Sequence, residues 1–139
     1  WHSGSTPAFA TALNQRARQL GMNDSHFSSA DGLGRGQRIT ARDALRLARH
    51  IQTRRPRISA LAHEPRFQWK DKSQRNNNEL LRQITGATGL KVGRIGRYHN
   101  LIMCTSRKEG NHITIILGAN SKTERNNLAK FLSQRSIKN

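Results

Sequence analysis

The sequence predicts an α+β fold, with helices packed on an antiparallel sheet. Three observations carry that expectation. Apolar stripes at helical spacing lie in the first part of the chain. Short β-branched runs broken by polar turns lie in the last third. A capping signal followed by another helical stripe comes after them.

The first stripe is Phe9, Leu13, Ala17 and Leu20, at steps of three and four. Thr6 is the expected N-cap, Pro7 suits a first helical position and Gly21 is a stop, so a helix is predicted over roughly residues 7–20. Met22 to Gly36 has loop chemistry throughout. Thr40 followed by Asp43 resembles a capping box. It opens a second helix with Ala44, Leu45, Leu47, Ala48 and Ile51 as its apolar side and Arg55-Pro56 as its end. Ile58 to Leu61 is read as one further turn, Phe67-Gln68-Trp69 as a short strand and Asp71 to Arg75 as a polar turn. Gly89 to Gly93 is a third strand beside a hairpin. The hairpin is built from Leu101–Cys104 and Ile113–Leu117, with the break from Ser106 to Asn111 between them. Ser121-x-x-Glu124 is a second capping box, and Leu128, Ala129, Phe131 and Leu132 are the residues expected to pack its helix on the sheet. Residues 6–135 are taken as a single partial domain, 1–5 as a linker or fragment start, and 136–139 as a polar tail.

Composition narrows the partners rather than the fold. The 139 residues carry 25 Lys+Arg against 8 Asp+Glu, a formal net charge of +17. Such an excess favours polyanions: nucleic acid, anionic lipid or acidic wall polymers. The single cysteine, Cys104, excludes an internal disulfide and a multi-cysteine zinc site. Its apolar surroundings fit a buried thiol better than a nucleophile. His2, His26, His50, His63, His99 and His112 include no pair at metal-ligand spacing, so no metal and no cofactor is expected. No apolar run approaches the ~20 residues of a membrane span.

Several short motifs then stand in one order. They are Phe9-x-x-x-Leu13-Asn14, Leu20-Gly21-Met22, Ser25-His26-Phe27, Asp31-Gly32-Leu33 and Thr40-Ala41-Arg42-Asp43. Asn76-x-Asn78-x-Leu80-Leu81 and Gly89-Leu90-Lys91-x-Gly93 follow, then the hairpin and last helix. This succession resembles the carboxy-terminal half of the serine D-alanyl-D-alanine carboxypeptidases, low-molecular-weight penicillin-binding proteins that trim peptidoglycan stem peptides. The resemblance covers nearly all of residues 8–133. It implies part of a penicillin-binding, β-lactamase-like transpeptidase domain, at a periplasmic or other extracytoplasmic site.

In that family, a Ser-x-x-Lys supplies nucleophile and base, a Ser-x-Asn positions base and substrate, and a strand Lys-Thr-Gly binds the substrate carboxylate. Only the last has a counterpart here, Lys91-Val92-Gly93, and no serine in the chain has a lysine three positions after it. The resemblance therefore assigns no catalytic residue. Its substrate-binding residues are Lys91 for the carboxylate, Val92 at the altered cleft position, Gly93 for close backbone approach, and Arg94, with Arg97, as a further cation. Val92 stands where a threonine hydroxyl would donate a charge-assisted hydrogen bond worth roughly 1.5–3 kcal/mol.

The chain alone is accordingly expected to be inactive and at most to bind a stem peptide or a β-lactam weakly. A half domain also leaves sheet surface uncovered, which predicts a second copy or a missing N-terminal half against it. The alternative is a basic module for nucleic acid or another anionic polymer, using Arg42, Arg46 and Arg49 on one helical face and Trp69 as a stacking platform.

Overall fold

The computed structural model describes residues 3–108 and 110–135. Trp1 and His2 of the expected linker, and the polar tail 136–139, lie outside the described residues. The chain divides into two units, residues 1–50 and 51–139.

In the first unit, helix α1 (Thr6–Gln19) is capped by Ser5, whose Oγ accepts from the Ala8 N–H. Ser5 rather than Thr6 is thus the cap, because Thr6 already has helical geometry. Gly21, at φ +73°, leaves the helix where expected. Helix α2 (Ala41–Arg54) starts on Thr40, whose Oγ1 accepts from the Asp43 N–H at 3.2 Å. Only that half of the expected capping box forms. The Asp43 carboxylate turns away instead, into a fully buried position where it receives the Asp24 N–H at 2.9 Å, the Ser25 hydroxyl at 2.8 Å and Arg46 Nη1 at 2.7 Å. Met22, Ala10, Ala17, Ala44 and Ala48 are the buried apolar residues of this unit.

The long connection between these helices is ordered by side chains rather than by a core. Asn14 donates to the Phe27 carbonyl at 2.7 Å and accepts its N–H at 2.9 Å, copying a backbone partner. His26 and Arg38 form a reciprocal backbone bridge. Ser29 Oγ accepts from the Gly34 N–H and donates to Asp31, which in turn accepts from the Leu33 N–H. Asn14, Ser25, Asp31 and Asp43, all parts of the ordered motifs, are therefore fastenings of a loop.

In the second unit, α3 (Pro56–His63) is a full helix of 8 residues rather than one turn. Pro56 is set up for its first turn, and the Arg55-Pro56 boundary ends α2 as predicted. Strand β1 (Arg66–Trp69) pairs antiparallel with β2 (Lys72–Arg75), so the segment read as a polar turn is a strand. The hairpin is exposed on both faces, and with no buried side the alternation that betrays a strand has no cause to exist. A 3-10 turn at Glu79–Arg82 follows.

The main sheet has the order β3-β4-β5, from Ala87–Ile95, Tyr98–Arg107 and Gly110–Ala119. Both hairpin strands run well into the polar break, since backbone pairing continues past the last buried side chain (Ser106↔Asn111, Arg107↔Gly110). A two-residue turn, Gly96-Arg97, joins β3 to β4. Helix α4 (Lys122–Arg135) completes the unit. Ser121 Oγ accepts from the Glu124 N–H, and Glu124 reaches back to the Asn120 N–H, one residue beyond the usual capping-box partner.

Leu80, Ile84, Ala87, Leu101, Met103, Ile116, Ala119 and Ala129 form the core of this unit. Of the four α4 residues expected to pack on the sheet, only Ala129 does. Leu128, Phe131 and Leu132 are 41–50% exposed. The buried side of α4 is Arg125, Asn126, Ala129 and Ser133. Polar partners explain that choice. Asn126 Nδ2 donates to Glu79 at 2.6 Å, Arg125 donates to Asn126, Lys122 pairs with Glu79 at 2.8 Å, and Arg107 donates to the Ser133 carbonyl.

Candidate functional site

The strand that carries Lys91-Val92-Gly93 is an edge of its sheet: β3 pairs with β4 on one side and with no strand on the other, among the described residues. A short neighbouring helix is held close to it at Gly89. A Cβ there would stand 2.9 Å from the Ala62 Cβ of α3, and φ is +119°, so glycine is required. Gly93 is different. A Cβ built on it meets nothing within 4 Å, and its φ is not positive. Packing within this unit gives no reason for a glycine there.

Side chains alternate along β3, which puts Lys91 and Gly93 on one face and Val92 and Arg94 on the other. Lys91 is exposed and its ammonium donates to the adjacent Val92 carbonyl at 2.7 Å, with no acidic partner among the described residues. Val92 is half-buried and packs against the core cluster. Arg94 is occupied elsewhere: its Nε donates to the Gly96 carbonyl at 2.8 Å, closing the β3–β4 turn. Arg97 lies over the Tyr98 ring and donates to its hydroxyl. The structure keeps Lys91 and Gly93 on one face of β3, turns Val92 towards the core and leaves both arginines at the turn.

Beside this strand is a cleft of about 290 Å³ whose lining includes Leu90, Lys91 and Val92 of β3 together with Leu61, Phe67 and Arg75. Asn76, Asn77 and Asn78 line it as well. Asn76 ties the hairpin base to the end of α3, donating to the Ala62 and Glu64 carbonyls at 3.1 and 2.9 Å and accepting the Asn78 N–H at 2.9 Å. Phe67 and Arg75 escaped the sequence reading as site residues. The signal that pointed towards them was the Asn76-x-Asn78 spacing, which fixes where the hairpin ends.

Cys104 is buried, and burial pushes its thiol up to about 11, the Gln52 hydrogen bond opposing only part of the shift. It is therefore a packing residue and not a thiolate nucleophile. On α2, Arg46 is committed to the buried Asp43, which removes one cation from the face proposed for polyanions.

Comparison with known proteins follows the same outline. The family model described as D-alanyl-D-alanine carboxypeptidase, peptidase S11, matches residues 1–121. The chain belongs to the D-alanyl-D-alanine carboxypeptidase family. It is 31% identical to D-alanyl-D-alanine carboxypeptidase DacD of Salmonella typhimurium over 135 residues, covering 95% of this chain and 35% of that protein. Against DacC of Escherichia coli it is 31% identical over 126 residues, 88% of this chain and 31% of the relative. Penicillin binding protein 6B from Escherichia coli superimposes with a TM-score of 0.91 at 29% identity, over 99% of this chain and 44% of that structure. Penicillin binding protein 5 from Haemophilus influenzae gives 0.89 at 26%, over 97% and 40%. This carboxypeptidase-family chain thus spans about a third of the length of the curated relatives it matches.

Proposed function

We propose that this chain carries the carboxylate-binding strand of a peptidoglycan D-Ala-D-Ala carboxypeptidase-type domain. In this reading Lys91 attracts the terminal carboxylate of a wall stem peptide or of a β-lactam, and the free edge of β3 pairs with its extended backbone. Gly93 leaves room for that backbone, and Val92 forms the apolar wall. The observation that carries the reading is the combination at β3: among the described residues, a strand edge with no pairing strand, an ammonium with no acidic partner, and a glycine that packing does not explain.

Magnitudes set the expected strength. An exposed lysine–carboxylate contact contributes about 0.2–1 kcal/mol, and the hydroxyl bond that threonine would add is absent at Val92. Binding by these residues alone is therefore weak, with a Kd no tighter than about millimolar.

Acyl transfer needs a nucleophilic serine with an adjacent base, and the 139 residues hold no Ser-x-x-Lys. We assign no hydrolysis to them by themselves, and an extracytoplasmic location follows from the family alone. The exposed Leu128, Phe131 and Leu132 of α4 suit a further segment of the domain or a second copy. The test is intact mass after incubation with benzylpenicillin, beside a known carboxypeptidase. An unchanged mass for this chain, with one adduct on the control, is expected. An adduct on this chain would contradict the assignment and locate a reactive serine.

A further inference from the structure

We infer that Arg75 is a second cationic binding residue of the Lys91 cleft, placed to take another carboxylate of an acidic peptide close in sequence to the terminal one. The inference rests on the reading of Lys91 given above, and it concerns which peptide that site prefers.

Arg75 is the last residue of β2 and lines the same cleft as Leu90, Lys91 and Val92. It makes no hydrogen bond or ion pair among the described residues. Its cross-strand partner Arg66, by contrast, points a guanidinium at Ser73 Oγ and does not line the cleft. The next residue, Asn76, is fastened by its N–H to the Pro65 carbonyl at 2.9 Å and by its amide to α3, so Arg75 extends from a fixed base.

The cleft wall also holds Asn78, only 2% exposed, whose amide nitrogen and oxygen both lack a hydrogen-bond partner among the described residues. A buried polar group left so calls for a functional reason, and a site for a polar ligand supplies one. Glu64 borders the same cleft and makes no ion pair with Arg75 among the described residues, so the lining carries two cations and one carboxylate. A volume of about 290 Å³ sits at the low end of small-ligand pockets, roughly 300–1,000 Å³. That leaves room for a short peptide only, and the two carboxylates must be near neighbours. Leu61 and Phe67 supply apolar surface for the stem between them.

The test compares N-acetyl-Glu-D-Ala-D-Ala with N-acetyl-Gln-D-Ala-D-Ala, which differ by one carboxylate, titrated into the whole chain at 0.15 M salt. The unsubstituted chain is expected to bind the Glu peptide about 1.5- to fivefold more tightly, in line with one cation–carboxylate contact at an exposed site. Arg75→Gln brings that ratio to near one, Arg75→Lys keeps part of it, and Arg66→Gln leaves it intact. Lys91→Gln weakens both peptides together without changing their ratio. The inference is overturned if the ratio survives Arg75→Gln, if Arg66→Gln lowers it equally, or if the unsubstituted chain shows no preference. Affinity for each peptide left unchanged by Lys91→Gln overturns the reading of Lys91 instead, and this inference with it.

Discussion

Replacing Asp43 by alanine is expected to destabilise the first unit by about 2–4 kcal/mol, read from urea unfolding of the whole chain. Its carboxylate is fully buried and receives the Asp24 N–H, the Ser25 hydroxyl and the Arg46 guanidinium, so truncation orphans three donors together. The same geometry fixes the pH response. Burial by itself pushes the Asp43 carboxyl up, but the hydrogen bonds from Ser25, Asp24 and Arg46 outweigh it and hold the group below the ordinary carboxylate range. Glu79 is also held low, chiefly by the hydrogen bond from Lys122. A carboxyl whose folded pKa is depressed stabilises the fold above its unfolded value, about 3.9 for Asp, and loses that contribution as pH falls through the folded one. Stability should therefore drop on acidification below about pH 4. Asp43→Asn should flatten part of that slope, and a slope identical to that of the unsubstituted chain would show that Asp43 does not cause it.

Met103→Ala should cost about 2–5 kcal/mol, the range for removing a fully buried side chain from a close-packed core. Met103 is 0% exposed in the cluster with Leu80, Leu101, Ile116 and Ala129. Leu132→Ala, on the helix that packs beside this core, is a matched contrast. Leu132 is 41% exposed, so its loss should change stability by only about 0.5 kcal/mol. A cost for Leu132 equal to that for Met103 would mean that α4 buries the side the sequence suggested.

That contrast marks the boundary of what the sequence made legible. Helix ends were readable because capping is local chemistry. Thr40 and Ser121 accept from the backbone three residues on, and Gly21 takes the positive φ that ends α1. The strands of the main sheet were readable because their buried runs are apolar and β-branched. The buried face of α4 was hidden because it is polar. Arg125 and Asn126 are buried through Glu79, a residue 47 positions from Asn126, and no pattern along the helix announces such a partner. Strand β2 was hidden because Lys72-Ser73-Gln74-Arg75 faces solvent on both sides. For the site, the order of motifs singled out Lys91, Val92 and Gly93. Arg94 was attractive by proximity in sequence alone, and strand alternation sends it to the opposite face, where the Gly96 carbonyl takes it. Arg75 comes to the cleft through a hairpin whose second strand was not foreseen.

We propose that the free edge of β3 at Lys91 receives a peptide carboxylate. The most direct measurement is a ¹⁵N chemical-shift titration of the whole chain with N-acetyl-D-Ala-D-Ala at 0.15 M salt, which reports weak binding residue by residue. Shifts concentrated on Leu90–Gly93 and Asn76–Asn78, abolished in Lys91→Ala, are expected. No saturable shifts on β3, or shifts centred on Arg42, Arg46 and Arg49 of α2, would contradict it and point to a basic surface that collects anions without a defined site.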